Sequence, residues 1–262
     1  MESHTSDYAE QARSAQPAHT CCPLVELRQY TLYPHMRDIL IDLFDREFLE
    51  SQEAVGMRVI GQFRDLDDPN RFVWLRGFRD MPTRAEALKA FYGGPVWQAH
   101  RDVANATMSD SSNVLLLRPP RVASGFSLAN TGDRPSPGAH ADPRGLVLAT
   151  IYYFDAPAGT DFLDFFEHML TPAAADAGAS ILAYFVAESS ANTFPALPVR
   201  EGEHVFVWFS SFPHQAAYEH HVAALAQTQR WSGEILAALT RRLTGPPDVL
   251  RLSPTARSWL HG

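Results

Sequence analysis

Residues 72–78 read FVWLRGF, and residues 206–212 read FVWFSSF. An internal repeat of this kind limits the fold before any local propensity is considered, because each copy must build the same structural unit. Trp74 and Trp208 lie 134 residues apart, and the same spacing joins Trp97 to Trp231. At a spacing of 135, VLLLRP from Val114 meets VLRLSP from Val249. Upstream the spacing is 122: GMRVIGQF from Gly56 meets GASILAYF from Gly178, Tyr30 meets Tyr152 and Phe44 meets Phe166. The jump from 122 to 134 places one insertion in the second copy, around SSANTFPALPVREG. Insertions of that composition belong in surface loops.

Within each copy the pattern predicts strand, helix, two strands, helix, strand. LVELRQYTL and LVLATIYYF open the copies as strands. In MRDILIDLFDREFLESQEA, residues Ile39, Leu40, Leu43, Phe44 and Phe48 fall at helical spacing. TDFLDFFEHMLTPAAADA is its counterpart, with Thr160 or Asp161 as N-cap. Gly56 and Gly178 are placed to end these helices. Gly93, Gly94 and Pro95 interrupt the second helix of the first copy. The order β-α-β-β-α-β is the split βαβ, ferredoxin-like arrangement. The expected organisation is an N-terminal flexible tail over 1–23, a first domain over 24–119 and a Pro/Gly/Ser-rich linker over 120–145. A second domain over 146–255 and a C-terminal tail over 256–262 complete it.

Segments such as FVWL, VLLL, VFVWF and LVLATIYYF are nearly continuous apolar runs. A sheet with one wet face would alternate. Helices cover one face of each half-sheet, so the other half-sheet is expected to cover the second. The predicted fold is therefore α+β: tandem ferredoxin-like units closing an intramolecular α/β-barrel as a pseudo-dimer.

With 262 residues and 45% hydrophobic content the chain can bury such a core without cross-links. A formal net charge of −8 argues against a nucleic-acid partner. No apolar run approaches the ~20 residues of a membrane span. The first 23 residues lack the basic and apolar segments of a secretory signal, which points to the cytoplasm. The only cysteines, Cys21 and Cys22, are adjacent and read as free thiols of the tail.

Alternation along the third strand puts Phe72, Trp74, Arg76 and Phe78 on one face, and Arg28 and Tyr30 share a face of the first strand. These strands are neighbours in the usual 4-1-3-2 order. Arginines among aromatics on a covered sheet are costly unless paired. Arg28 and Arg76 are thus candidates to hold a carboxylate, phenolate or enolate. The alternative is an ion pair at the strand end, with Glu26 or Asp80. Arg84 in the first turn of its helix opposes the helix dipole and calls for a carboxylate partner. Trp74 and Trp97 are core residues first and cavity walls second. Among 11 histidines, His100 and His168 are candidate general bases. No histidine pair has the spacing of a zinc site, so no metal is expected. Phosphate-binding glycine loops and a GxSxG elbow are absent, so no nucleotide cofactor or serine nucleophile is expected.

VELRQYTLYPHMRDIL, GQF, RFVWLRGFRDMPTRAEALKAFYGGPVWQAH and NVLLLRPP together resemble the NIPSNAP family of the dimeric α/β-barrel superfamily. The resemblance runs over residues 25 to 119 and, more loosely, 146 to 255. It marks Arg28, Tyr30, Trp74, Arg84 and Trp97 as family positions. Two departures stand out. Position 76, often aromatic in the family, is Arg76. The second copy has Thr150, Ser210, Tyr218 and Ile235 where the first has Arg28, Arg76, Arg84 and Arg101. The superfamily's cofactor-free monooxygenases, cyclases and isomerases imply a small-molecule enzyme acting on an anionic or enolisable substrate. Arg28, Trp74, Arg76, Arg84 and Trp97 would bind that substrate, and His100 or Tyr30 would move the proton. A non-catalytic binding scaffold and a haem- or metal-dependent enzyme are the alternatives. A homodimer of the fused barrel is a further possible assembly. A cavity of about 300 Å³ or more with converging polar groups separates enzyme from scaffold.

Overall fold

The computed structural model describes residues 21–128, 133–139 and 145–261. Most of the expected N-terminal tail and two parts of the linker lie outside the described residues. In the first half, β1 (Leu24–Leu32) leads into α1 (Arg37–Leu43) and α2 (Leu49–Glu53), then β2 (Arg58–Asp65) and β3 (Arg71–Phe78). Next come α3 (Met81–Tyr92), α4 (Pro95–Thr107), a short β4 (Met108–Asp110) and β5 (Val114–Arg118). The second half repeats this with β6 (Leu146–Tyr153), α5 (Thr160–Phe165), α6 (Thr171–Asp176), β7 (Ser180–Ala187) and β8 (Val205–Phe212). It ends with α7 (Gln215–Gln227), α8 (Leu236–Thr240) and β9 (Asp248–Pro254).

All strand pairings are antiparallel. The first half pairs as β5-β1-β3-β2 and the second as β9-β6-β8-β7, both 4-1-3-2. The two half-sheets then join through β2–β9 and β5–β7. Eight strands close into one barrel, and β4 pairs beside β1 outside the ring. Closure removes the open edges that each half-sheet alone would expose.

Burial on both faces of each strand has two different causes. Val25, Leu27, Val73, Leu75, Leu115 and Leu117 point into the barrel, where Val147, Phe185, Val207 and Leu252 of the other half meet them. Leu24, Tyr30, Phe72, Trp74 and Phe78 point outward, under the first-half helices. The second half repeats the outward layer with Leu146, Tyr152, Phe206, Trp208 and Phe212. The barrel interior is occupied by buried apolar side chains of both halves. Phe126, from the connection between halves, is 1% exposed and packs on Phe185 and Phe209. Leu260, beyond β9, also joins this core. Arg257 is buried too, and pairs with Glu50 while donating to the Asp45 and Pro135 carbonyls. The C-terminal residues are therefore part of the packed structure.

Between α1 and α2 the chain makes a π-helical turn, Phe44–Phe48, and the second half makes the same turn at Phe166–Leu170. One extra residue per turn cancels the drift of an i, i+4 series around an α-helix. Leu40, Phe44, Phe48 and Gln52 all stay buried as a result, as do Phe162, Phe166, Leu170 and Ala174. Each helix ends in a backbone bond from the residue after the glycine to position 52 or 174, with Gly56 and Gly178 at positive φ.

Three local expectations need correction. Ile39 is half exposed and Ile41 is buried instead, because at 3.6 residues per turn position 41 lies nearer the Leu40–Phe44 direction of α1 than position 39 does. The N-cap of α5 is Gly159, not Thr160 or Asp161, and no side chain caps it. Cys22 is not in a flexible tail: it is 3% exposed, and its sulfur occupies the space a side chain at position 77 would need. No helix among the described residues is long and apolar enough to cross a membrane.

Candidate functional site

Antiparallel register sets Glu26 directly opposite Arg76, and Arg28 directly opposite Trp74, on the outer face of β1 and β3. Asp80 caps α3 through the Thr83 backbone N–H. That start brings Arg84, one turn in, down onto the same face. The three guanidinium groups converge on one carboxylate. Arg28 Nη1 and Arg76 Nε donate to Glu26 Oε2 at 2.7 and 2.6 Å, and Arg84 Nε donates to Oε1 at 2.6 Å. All four residues are 0% exposed. Burial alone would raise the Glu26 carboxyl, but Arg76, Arg28 and Arg84 together hold it well below the usual carboxylate range. The cluster thus carries three positive charges and one negative charge in a dry setting.

Its outer contacts are neutral. Arg28 Nε donates to the Tyr30 hydroxyl at 2.9 Å. Arg76 Nη1 donates to Gln52 Oε1 at 3.1 Å and reaches the Tyr92 hydroxyl at 3.5 Å. Arg84 Nη1 donates to Asn192 Oδ1 at 3.0 Å. Trp74 lies under both Arg28 and Arg76, with guanidinium carbons 5.5 and 5.0 Å from its ring centre. The Nη2 atoms of Arg28, Arg76 and Arg84 and the Trp74 indole N–H are buried without a partner among the described residues. Buried unsatisfied donors are rare and costly, so four in one cluster mark the place where the fold spends stability.

The neutral shell opens onto a cleft. A crevice of about 30 Å³ is walled by Tyr30, Gln52, Trp74, Tyr92 and Trp97 among others. It shares Tyr30, Tyr92, Trp97 and Met108 with an outer cleft of about 370 Å³. Asn105 and Ser111 add polar groups, and Phe194, Ala196, Leu197 and Pro198 of the second half form the opposite wall. No histidine lines either space. The haem alternative rests on an axial histidine that the cleft does not offer.

The sequence candidates divide accordingly. Arg28, Tyr30, Trp74, Arg76 and Arg84 come together, and Trp97 walls the cleft beside them. His100 does not join them: its Nε2 lies 3.5 Å from Glu47, and its side chain is one-third exposed. Tyr30 is raised by burial, an effect only partly offset by Arg28, so it holds its proton and can donate a hydrogen bond. Asp80, the other partner considered for Arg76, is taken up by its helix cap. His168 Nδ1 donates to the Asp164 carbonyl at 2.9 Å, on the surface. Asp164, Glu167 and His168 stand close enough to share an ion. Arg121 already pairs with both carboxylates, at 3.3 and 3.1 Å, and offsets one of their two charges.

Glu26 is one of the two carboxylates expected to pair with Arg76, and it does so; that it also takes Arg28 and Arg84 is not evident from sequence. Gln52 is found only through the π-helical turn. In the second half Glu26 is answered by Leu148, so carboxylate and arginines are lost together.

A closed eight-stranded antiparallel barrel made from two split-βαβ halves is the dimeric α/β-barrel architecture. A putative monooxygenase from Lactobacillus acidophilus NCFM is similar over 89% of this chain and 94% of its own, at 15% identity and a TM-score of 0.53. An anthrone oxidase-like protein is similar over 91% of this chain and 95% of its own, at 15% identity and a TM-score of 0.51. Residues 25–120 match the NIPSNAP family model. A NIPSNAP-like domain protein from Burkholderia xenovorans shares 30% identity over 37% of this chain and 84% of its own, with a TM-score of 0.34. The chain belongs to the NIPSNAP family, with its first half as the NIPSNAP domain. No curated protein matches it.

Proposed function

We propose that the chain is a small-molecule enzyme whose first half binds an enolisable or phenolic substrate and stabilises it as the anion. The observation that carries this reading is the buried cluster of three arginines on one carboxylate, placed behind Tyr30 and Tyr92 at the floor of an aromatic cleft. The cleft volume, about 370 Å³, falls within the range of roughly 300–1,000 Å³ typical of ligand sites. An excess of two positive charges about 7 Å from a bound oxyanion, at an effective dielectric near 20, favours it by about 5 kcal/mol before desolvation is charged against it. Preorganised charge of this kind lowers the energy of a developing anion without moving any protein group.

Tyr30 acts in this reading as a hydrogen-bond donor to the oxyanion, with Arg28 behind it. The site's positive charge acidifies the substrate, and the proton passes to solvent water through the open cleft, since no histidine lines it. The enolate is then ready for reprotonation at another carbon, or for reaction with dioxygen. The similarity to an anthrone oxidase-like protein supports testing the second course. Anthrone plus O2 gives anthraquinone plus water, with one oxygen atom entering the ring carbonyl and the other leaving as water. The cytoplasmic setting and possible homodimer expected from the sequence belong to this same reading.

The test uses anthrone and the purified protein. Anion formation is followed by visible absorption, and turnover by oxygen uptake. Formation of bound anthrone anion at a pH where buffer alone shows none supports the proposal, as does its loss in Arg76→Met with the fold intact. Anion binding without oxygen uptake would leave a binding protein. Absence of any bound anion in the wild-type protein would refute the reading.

A further inference from the structure

The 12-residue insertion that breaks the repeat lies across the first-half cleft. Between β7 and β8 the chain leaves the barrel, and backbone bonds to β5 pin it at both ends: Glu188 N–H to the Leu116 carbonyl and Arg200 N–H to the Val114 carbonyl, each 2.8 Å. Loops this long without regular structure are uncommon in packed domains and are usually functional. Its tip is held tightly. Asn192 Oδ1 accepts from Arg84 Nη1 and from the Phe194 N–H, both at 3.0 Å. Asn192 Nδ2 donates to the Leu197 carbonyl at 2.9 Å. Thr193 Oγ1 accepts from Arg84 and donates to the Met81 carbonyl. The Phe194 ring stacks on Tyr92, with centroids 6.0 Å apart and planes 24° from parallel.

We propose that this insertion is the specificity wall of the first-half site: Phe194 is the residue that selects extended flat ring systems, and Asn192 is a positioning residue that holds Arg84 on Glu26. The inference rests on the anion-site reading above and adds where selection comes from. The arginine cluster recognises charge in any phenolate. Shape is recognised by the cleft, one wall of which comes from the second half through Phe194, Ala196, Leu197 and Pro198. The insertion occurs only in the second copy, so only the first copy receives a wall. A substrate class follows: fused-ring phenols or enols, long enough to place an oxyanion by Tyr30 while a distal ring meets Phe194.

The experiment measures equilibrium binding of two probes, anthrone and the single-ring 4-nitrophenol, to wild type, Phe194→Ala and Phe194→Tyr. Phe194 lies in a partly exposed loop, and circular dichroism checks that its variants keep the fold. Phe194→Ala is expected to weaken anthrone by about tenfold while leaving 4-nitrophenol unchanged, with Phe194→Tyr restoring the loss, because one aromatic face is removed and returned. Asn192→Ala is expected to weaken both probes, anthrone the more because Phe194 is loosened with it, and to raise the apparent pKa of bound 4-nitrophenol, a readout that mere loosening of the loop would not shift. Equal loss of both probes in Phe194→Ala, or loss of neither, overturns the specificity role while leaving the anion site standing. If wild type binds neither probe, the anion-site reading falls and this inference with it.

Discussion

Replacing Glu26 by Gln tests the electrostatics of the cluster at almost constant volume. The carboxylate that touches Arg28, Arg76 and Arg84 is removed, and three buried cations lose their partner together. Breaking a buried ion pair from one side costs about 3–5 kcal/mol, and loss of a shared partner should fall at the upper end. For a chain of this size, each kcal/mol moves the midpoint of thermal unfolding by about 2–4 °C, so a drop of roughly 10–20 °C is expected. The effect must also depend on pH. Glu26 titrates below its ordinary range in the folded protein, since the three arginines outweigh the opposing effect of burial. A depressed carboxyl stabilises the fold fully above its unfolded pKa, about 4.3, and loses that stabilisation as pH falls toward the folded value. The difference between wild type and Glu26→Gln should therefore hold steady from pH 7 to 5, then narrow by about 1.4 kcal/mol per pH unit below about 4.3. Urea unfolding followed by tryptophan fluorescence at pH 7, 5, 4 and 3.5 measures it, provided the urea slopes agree. A difference below about 1 kcal/mol at pH 7, against the 3–5 expected, or one that stays constant down to pH 3.5, would refute the reasoning.

Three further outcomes follow from the packing. His100→Ala should leave anthrone binding unchanged and cost at most about 1 kcal/mol, because its one charged contact is a partly exposed pair with Glu47; a large loss of oxygen uptake in this variant would restore His100 as a base. Gly77→Ala should destabilise by about 1–3 kcal/mol, since the new methyl would lie 2.3 Å from the Cys22 sulfur and 2.4 Å from its Cβ. The penalty should shrink when Cys22→Gly is added, and denaturation of the four proteins checks this. Ser210→Arg, which writes the first-half cation into the buried second-half position, should cost more than about 3 kcal/mol. Leu148→Glu, directly opposite in register, should recover about 0.5–3 kcal/mol in a double-mutant cycle.

The repeat made the fold legible. Apolar strands that no single sheet could cover on both faces implied two half-sheets, and the closed barrel satisfies them. Spacing of two along β1 and β3 likewise predicted that Arg28, Tyr30, Trp74 and Arg76 share one face. What spacing does not carry is the partner of each charge. Glu26 serves Arg28 two residues away, Arg76 across the ladder and Arg84 from a helix, and the last two contacts exist only once the chain is folded. Ile39 departs from the expected inward face of α1 because it lies about 140° around the helix from Phe44, and Ile41 takes the buried place. The insertion showed in the sequence as an offset, but its contact with Arg84, 108 residues earlier, is a tertiary fact. His100 shares the inward stripe of α4 with Trp97 and Ala104, but its ring meets Phe48 and Glu47 and not the arginine cluster.

The second half is an internal control for what the first half needs. It builds the same strand order, the same π-helical turn and the same buried tryptophan, Trp208 for Trp74, and it closes the same barrel. It does so with Leu148, Thr150 and Ser210 where the first half has Glu26, Arg28 and Arg76. The architecture therefore does not require the charged cluster. A buried ion cluster is often no more stabilising than well-packed neutral residues, and unpaired Nη2 donors make this one costlier still. A cost borne in one half and avoided in the other, behind a cleft that the other half's insertion walls, supports the proposed anion site, because the shared architecture gives no packing reason for it.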